Sequence, residues 1–169
     1  MTPILPERVA SIAEGFVGRS ESPLGSNRGT EIQEFFDADN YDPNGIKPGD
    51  SGYAWCAAYV CRVVQLAMRG SEWTFRRPRT PGAWAFEEWS LSQDRSTRTL
   101  KPAGEDIQRG DIVVFRTSHI GIALSAPDKH GMVQTVEGNT NDAGGREGVA
   151  VLRKRRHFSS FRSRIRFTV

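Results

Sequence analysis

The 169 residues and 18.8 kDa suffice for one globular domain and are short for two. Hydrophobic residues at 37% and charged residues at 25%, with 17 Gly and 9 Pro, describe a folded, loop-rich chain rather than a disordered or fibrous one. The net charge of +3 hides a gradient: residues 1–50 carry nine acids and four bases, whereas 153–169 carry seven bases and no acid. That basic end reads either as a solvated strand face or as an attractor for an anionic polymer such as nucleic acid or cell wall. No run reaches the roughly 18 apolar residues of a membrane span. The opening MTPILPERVASIAEGF lacks a basic segment followed by an apolar one, so no signal peptide is expected.

A first helix is predicted from Pro6, with Val9, Ile12, Ala13 and Phe16 on one face and Gly18 as its stop. A second opens at Thr30, with Gln33 completing a capping box and Ile32, Phe35 and Phe36 as its apolar side. The turn-rich stretch DADNYDPNGIKPGDSG follows. Within it Asn40, Asp42 and Asn44 resemble the first half of a calcium loop, but the twelfth position is Ser51 rather than an acid. Calcium there is the one cofactor considered; otherwise none is expected. A third helix is predicted over 55–68, and a fourth from Thr80 and Pro81, carrying Trp84, Phe86 and Trp89.

Beyond residue 111 the texture changes to short β-branched runs: DIVVFRT, HIGIALS, MVQTVEG, VAVLRKR and SRIRFTV. Helices followed by about five meandering antiparallel strands give an α+β architecture. No repeat or linker divides the chain. A single domain over 1–169 is therefore expected, with a helical lead-in (1–50), the third helix and a middle helix (51–110) and a sheet (111–169).

Two cysteines exclude a disulfide scaffold. Cys56 and Cys61, five residues apart on one helix, are separated by about 7.5 Å along its axis. That exceeds the roughly 7 Å limit of a disulfide, so both are read as free thiols. Their C-x4-C spacing is not that of a zinc site. Cys56 falls in the first helical turn, where the helix dipole favours a thiolate. Cys61 lies about 140° around the helix and reads as core.

His119 opens the strand HIGIALS. Its face, with Gly121 and Ala123, is small enough to admit a helix, and the Cys56 helix is the expected one. Glu137 and Asn139 share strand parity in VEGNTND, and either a carboxylate or an amide can orient a base imidazole. Read one at a time, each of these residues has a bland structural explanation. Together, a Cys at a helix start, a His opening a later strand and a polar group on the next strand follow the order of papain-like thiol hydrolases.

The segments AWCAAYV, RGDIVVF followed by HIGIAL, and VEGNTN resemble the CHAP-domain family of cysteine- and histidine-dependent amidohydrolases and peptidases. GRSESPLGSNRGTEIQEFFDA and RTPGAWAFEEW resemble its lead-in and middle helix, so the likeness covers nearly the whole chain. The resemblance implies Cys56 as nucleophile, His119 as general base, and Glu137 and Asn139 as the acidic and amide members of the site. The backbone N–H of Cys56 is the expected first oxyanion donor, with Tyr53 and Asp50 as neighbours. Trp55 and Trp84 are candidate cleft walls.

The implied activity is hydrolysis of a peptidoglycan amide bond, as an endopeptidase or an N-acetylmuramoyl-L-alanine amidase. The alternatives are a non-catalytic wall- or polyanion-binding module and a thiol hydrolase of another amide. Without a signal peptide, such an enzyme is expected to be made in the cytoplasm and to reach the wall by lysis or dedicated secretion. Peptidoglycan is then its partner, secretion would add an immunity protein, and no nucleic acid is expected.

Overall fold

The computed structural model describes residues 5–39, 52–140 and 148–169. Four helices precede or flank the sheet: α1 (Leu5–Gly15), α2 (Thr30–Asp39), α3 (Cys56–Ala67) and α4 (Ala85–Leu91). Six strands follow: β1 (Thr97–Leu100), β2 (Ile112–Phe115), β3 (Ile120–Ala123), β4 (Met132–Thr140), β5 (Ala150–His157) and β6 (Phe161–Phe167). They form one sheet in the order β1-β6-β2-β3-β4-β5, with every neighbouring pair antiparallel. Among the described residues, no helix is long and apolar enough to cross a membrane.

The α+β class is as expected, and the five predicted strands are β2 to β6. The extra strand, β1, is the polar tetrapeptide TRTL, which carries no apolar alternation. Pairing with β6 forms it, together with the Ser90–Thr97 hydroxyl contact at 2.7 Å. Nor is the sheet a simple meander, because β6 returns to the far side of β2.

Helix boundaries shift for local reasons. α1 ends at Gly15, three residues before Gly18, which sits in a left-handed turn with its N–H donated to Val151 O. Gln33 does not close a capping box; its amide donates to Asp37 Oδ1 at 2.9 Å. α4 begins at Ala85 rather than Thr80, because the Thr80 hydroxyl accepts from Gly82 N–H in a separate turn.

α3 is the helix that places the site. Its residues Cys56, Val60, Val63, Val64 and Ala67 share one core with Ile112, Val114, Ile120, Ile122 and Val136 of the sheet. Burial of each Val or Ile side chain among them contributes about 1.5–3 kcal/mol. Contrary to the small-face expectation, α3 packs with the Ile120 and Ile122 face of β3. Gly121 instead makes room for Glu137: a Cβ there would lie 2.8 Å from Glu137 Cγ.

Gly138 is the close-approach position between sheet and helix. A Cβ on it would stand 2.8 Å from Tyr59 Cβ and 2.9 Å from the Trp55 ring. Gly138→Ala is therefore expected to cost about 1–3 kcal/mol by overpacking. Urea unfolding should show this as a lowered midpoint, and an unchanged midpoint would contradict the packing.

Candidate active site

The first turn of α3 is anchored by aromatic packing. Trp55, at the N-cap, is wholly buried, and its Nε1 donates to Glu21 Oε1 at 2.8 Å. Tyr59 donates its hydroxyl to Ala13 O at 3.0 Å. Phe35 packs against both rings at 5.5 Å between centroids. These contacts fix the backbone on either side of Cys56, the first residue of the helix.

No side chain caps this helix start, and the first intrahelical bond runs from Tyr59 N–H to Trp55 O. The amides of Cys56, Ala57 and Ala58 precede that bond, so the helix presents donors and a partial positive charge beside the thiol. Cys56 is 6% exposed, and Tyr53, on the approach to the helix, is 61% exposed.

His119 immediately precedes β3, in the hairpin closed by Phe115 N–H to His119 O at 2.8 Å. The turn residue before it, Ser118, has φ +54, which swings the chain so that the imidazole lies against the Phe115 ring at 5.1 Å. His119 is 2% exposed, and its Nε2 lies 2.9 Å from Glu137 Oε2. An ionised carboxylate can only accept, so Nε2 carries the proton and Nδ1 is left for the thiol.

Nδ1 has no partner within hydrogen-bond geometry among the described residues. Burial alone would lower the imidazole pKa; Cys56 and Glu137, by hydrogen bonding and charge, outweigh it and lift His119 to about 9.

Glu137 is fully buried and makes four side-chain hydrogen bonds. Oε2 accepts from His119 and from Arg156 Nη2 at 2.6 Å. Oε1 accepts from Thr135 Oγ1 at 2.6 Å and Arg156 Nε at 2.9 Å. Burial raises the carboxyl pKa, but the bidentate Arg156 and His119 overcome it and hold Glu137 down to about 2. The Arg156 guanidinium also lies 5.4 Å over the Phe115 ring, the same ring that packs on His119.

Arg156 was invisible in the sequence, where it belongs to a basic run. The only signal is strand parity: Val133 pairs with Arg156 across β4 and β5, so Arg156 shares a face with Thr135 and Glu137.

Asn139 makes no hydrogen bond to His119. The ladder is irregular between Glu137 and Thr140, and Asn139 has φ +55, which breaks the parity on which the sequence reading relied. Its side chain is buried, and neither amide atom has a partner among the described residues.

The remaining candidates separate by exposure. Trp55 offers a substrate no surface, so its place as a cleft wall is corrected to a core role. Trp84 is 43% exposed; its Nε1 donates to Phe115 O at 3.0 Å, and the Arg162 guanidinium lies 4.4 Å above its ring. Cys61 is wholly buried against Thr80 O, and burial pushes its thiol up to about 12. Iodoacetamide at neutral pH is accordingly expected to add one label, at Cys56. Peptide mass mapping reads the position, and a label at Cys61 in the native protein would contradict the burial.

Asp50 and the calcium candidates Asn40, Asp42 and Asn44 lie outside the described residues. Among the described residues, no group of three or more His, Cys, Asp or Glu side chains could hold a metal ion.

The basic end is neutralised within the fold. Arg153 pairs with Glu14, Arg155 with Asp128, Arg156 with Glu137, Arg162 with Glu87, Arg164 with Asp106, and Arg166 with Asp106 and Asp111. Of the seven bases at 153–169, Lys154 is left without an ion pair among the described residues. Of these partners only Glu14 comes from the acidic first fifty residues; the others lie between Glu87 and Glu137.

A family model described as CHAP domain matches residues 48–139, a span that holds Cys56, His119, Glu137 and Asn139. No curated protein matches the chain. Among solved structures the chain is similar to the crystal structure of a wild-type endolysin, LysIME-EF1, at 16% identity and a TM-score of 0.55. The alignment covers 95% of this chain and 63% of that one, and it is a likeness of fold.

Proposed function

The chain belongs to the CHAP-domain family, and from that membership we propose that it hydrolyses an amide bond of peptidoglycan through a thioester on Cys56. The observation that supports the reading is the Glu137 bond to His119 Nε2, which leaves Nδ1 without another hydrogen-bond partner among the described residues and open to the Cys56 thiol in this mechanism.

In this mechanism Nδ1 takes the Cys56 proton, and the thiolate adds to the carbonyl carbon of the bound amide. The oxyanion that forms is met by the backbone donors at the start of α3. The imidazolium returns its proton to the departing amine as the C–N bond breaks, leaving an acyl thioester. Water, deprotonated by His119, then adds to the thioester. Collapse frees the carboxylic acid and restores the thiol. Glu137 stays ionised throughout, because its four donors hold it so, and it stabilises the imidazolium without taking its proton. Trp84, 43% exposed and bonded through Nε1 to Phe115 O, is a ring available to the substrate.

Digestion of purified peptidoglycan, followed by mass spectrometry, tests the reading. New peptide amino termini identify an endopeptidase, whereas stem peptides freed from muramic acid identify an amidase. New reducing sugar ends without either product would overturn amide hydrolysis.

A further inference from the structure

With the C-terminal bases paired internally, unneutralised positive charge gathers elsewhere. Arg76, Arg77 and Arg79 line a single cavity of about 600 Å³ together with Trp89 and Gln93. Arg76 and Arg79 are exposed and make no ion pair among the described residues. Arg77 is half-buried, its Nη1 held by the carbonyls of Ala38 and Pro78.

The backbone here is fixed as well. Arg76 N–H donates to Gln93 Oε1 at 2.9 Å, and Trp89 Nε1 donates to Arg76 O at 2.8 Å. Gln93 Nε2 in turn donates to Trp89 O at 3.0 Å, which ties the segment to the end of α4.

The charges in this cluster oppose one another. Arg77 is lowered from its ordinary value by burial first, then by Arg79 and also by Arg62; Cys61 and buried Asp39 act in the opposite sense. Arg62 is itself paired with Glu34. A bound anion would relieve that repulsion.

Phosphate fits the cavity better than carboxylate. Arg76 and Arg79 offer their donors in planar forks, and Arg77 adds those not bonded to Ala38 and Pro78; a carboxylate meets these three cations with two oxygens and a single negative charge. A phosphate group brings three strong acceptor oxygens and up to two negative charges. The cluster is also confined to one cavity with one aromatic ring, whereas a nucleic acid groove needs a basic track with successive stacking platforms.

We propose that the Arg76–Arg77–Arg79 cavity is a phosphate-binding site, and that it takes phosphate groups of a polyol-phosphate polymer of the cell wall. The polymer assignment rests on the wall-hydrolase reading; phosphate binding itself does not.

The test uses the full chain carrying Cys56→Ala, so that hydrolysis cannot interfere. Arginine Nε–H NMR signals are followed during titration with inorganic phosphate at constant ionic strength. Saturable shifts are expected at Arg76, Arg77 and Arg79. In Arg76→Gln/Arg79→Gln the remaining Arg77 shift should need at least about tenfold more phosphate, while Lys154→Gln should match the parent. Shifts that fail to saturate, that chloride reproduces, or that survive the double substitution would overturn the site.

A poly(glycerol phosphate) that binds more tightly per phosphate than the free ion supports the polymer. Equal affinity per phosphate overturns the polymer assignment and leaves a free-phosphate site. A single-stranded oligonucleotide that binds more tightly than the polyol phosphate also overturns the polymer assignment.

Discussion

Cys56→Ala is expected to reduce release of peptidoglycan fragments by on the order of 10⁴-fold or more, with the fold intact. The size follows from what remains. Backbone donors at the start of α3 still face the site, and His119 and Glu137 remain bonded at 2.9 Å, but no atom is left to form the acyl bond. Cys61→Ala is the matched control, because it removes the other sulfur from the same helix. It leaves a small cavity in the core and is expected to cost about 1–2 kcal/mol of stability with fragment release retained. Far-UV circular dichroism and urea midpoints separate the two effects. Full activity in a folded Cys56→Ala protein would end the thioester mechanism, and loss of activity in a folded Cys61→Ala protein would show that the two thiols had been misassigned.

Cys56 was legible because a helix start and an apolar helical face are local properties, readable over about ten residues. His119 was legible for a similar reason, since it stands where a turn meets a β-branched run. The choice between Glu137 and Asn139 was not legible. Strand parity treats the two alike, whereas in the fold Glu137 bonds to His119 and Asn139, beyond the irregular pairing between Glu137 and Thr140, does not. The function of Gly121 was inverted for want of the same information. A small residue makes room, but whether for a helix or for a cross-strand carboxylate depends on which face of the sheet the helix covers. The basic run at the C-terminus misled in the opposite direction. Its partners Glu14, Glu87, Asp106 and Asp128 are distant in sequence, so a run that is neutral in the fold stands out as charged in the chain. Arg156 was lost in that run, although it makes two of the four hydrogen bonds to the carboxylate that holds His119.

Glu137→Gln and Arg156→Met are expected to move opposite limbs of the pH–activity profile. His119, lifted from an ordinary 6.5 to about 9, sets the alkaline limb in this mechanism, because the imidazolium must be present to protonate the leaving amine. Glu137→Gln removes one of the two groups that raise it while burial still pulls it down. The alkaline limb should therefore shift acidward by about one unit or more, with kcat falling by about 10²-fold. Arg156→Met leaves Glu137 charged near neutrality and keeps its bond to His119, so the alkaline limb should hold. The carboxyl, no longer gripped by the guanidinium, rises from about 2, and the acid limb should move upward. Stability follows the same signs. The His119 contribution is complete below its ordinary 6.5 and is lost as pH rises through about 9. The Glu137 contribution is complete above its ordinary 4.5 and is lost as pH falls through about 2. Both are complete between those two ordinary values, and it is there that Arg156→Met should cost most, about 3 kcal/mol, because a buried carboxylate loses its bidentate partner. Titration of the His119 ring by NMR reads the first shift without reference to turnover. If Glu137→Gln left that titration near 9, the carboxylate would not be what holds the imidazolium, and Cys56 alone would have to supply the lift.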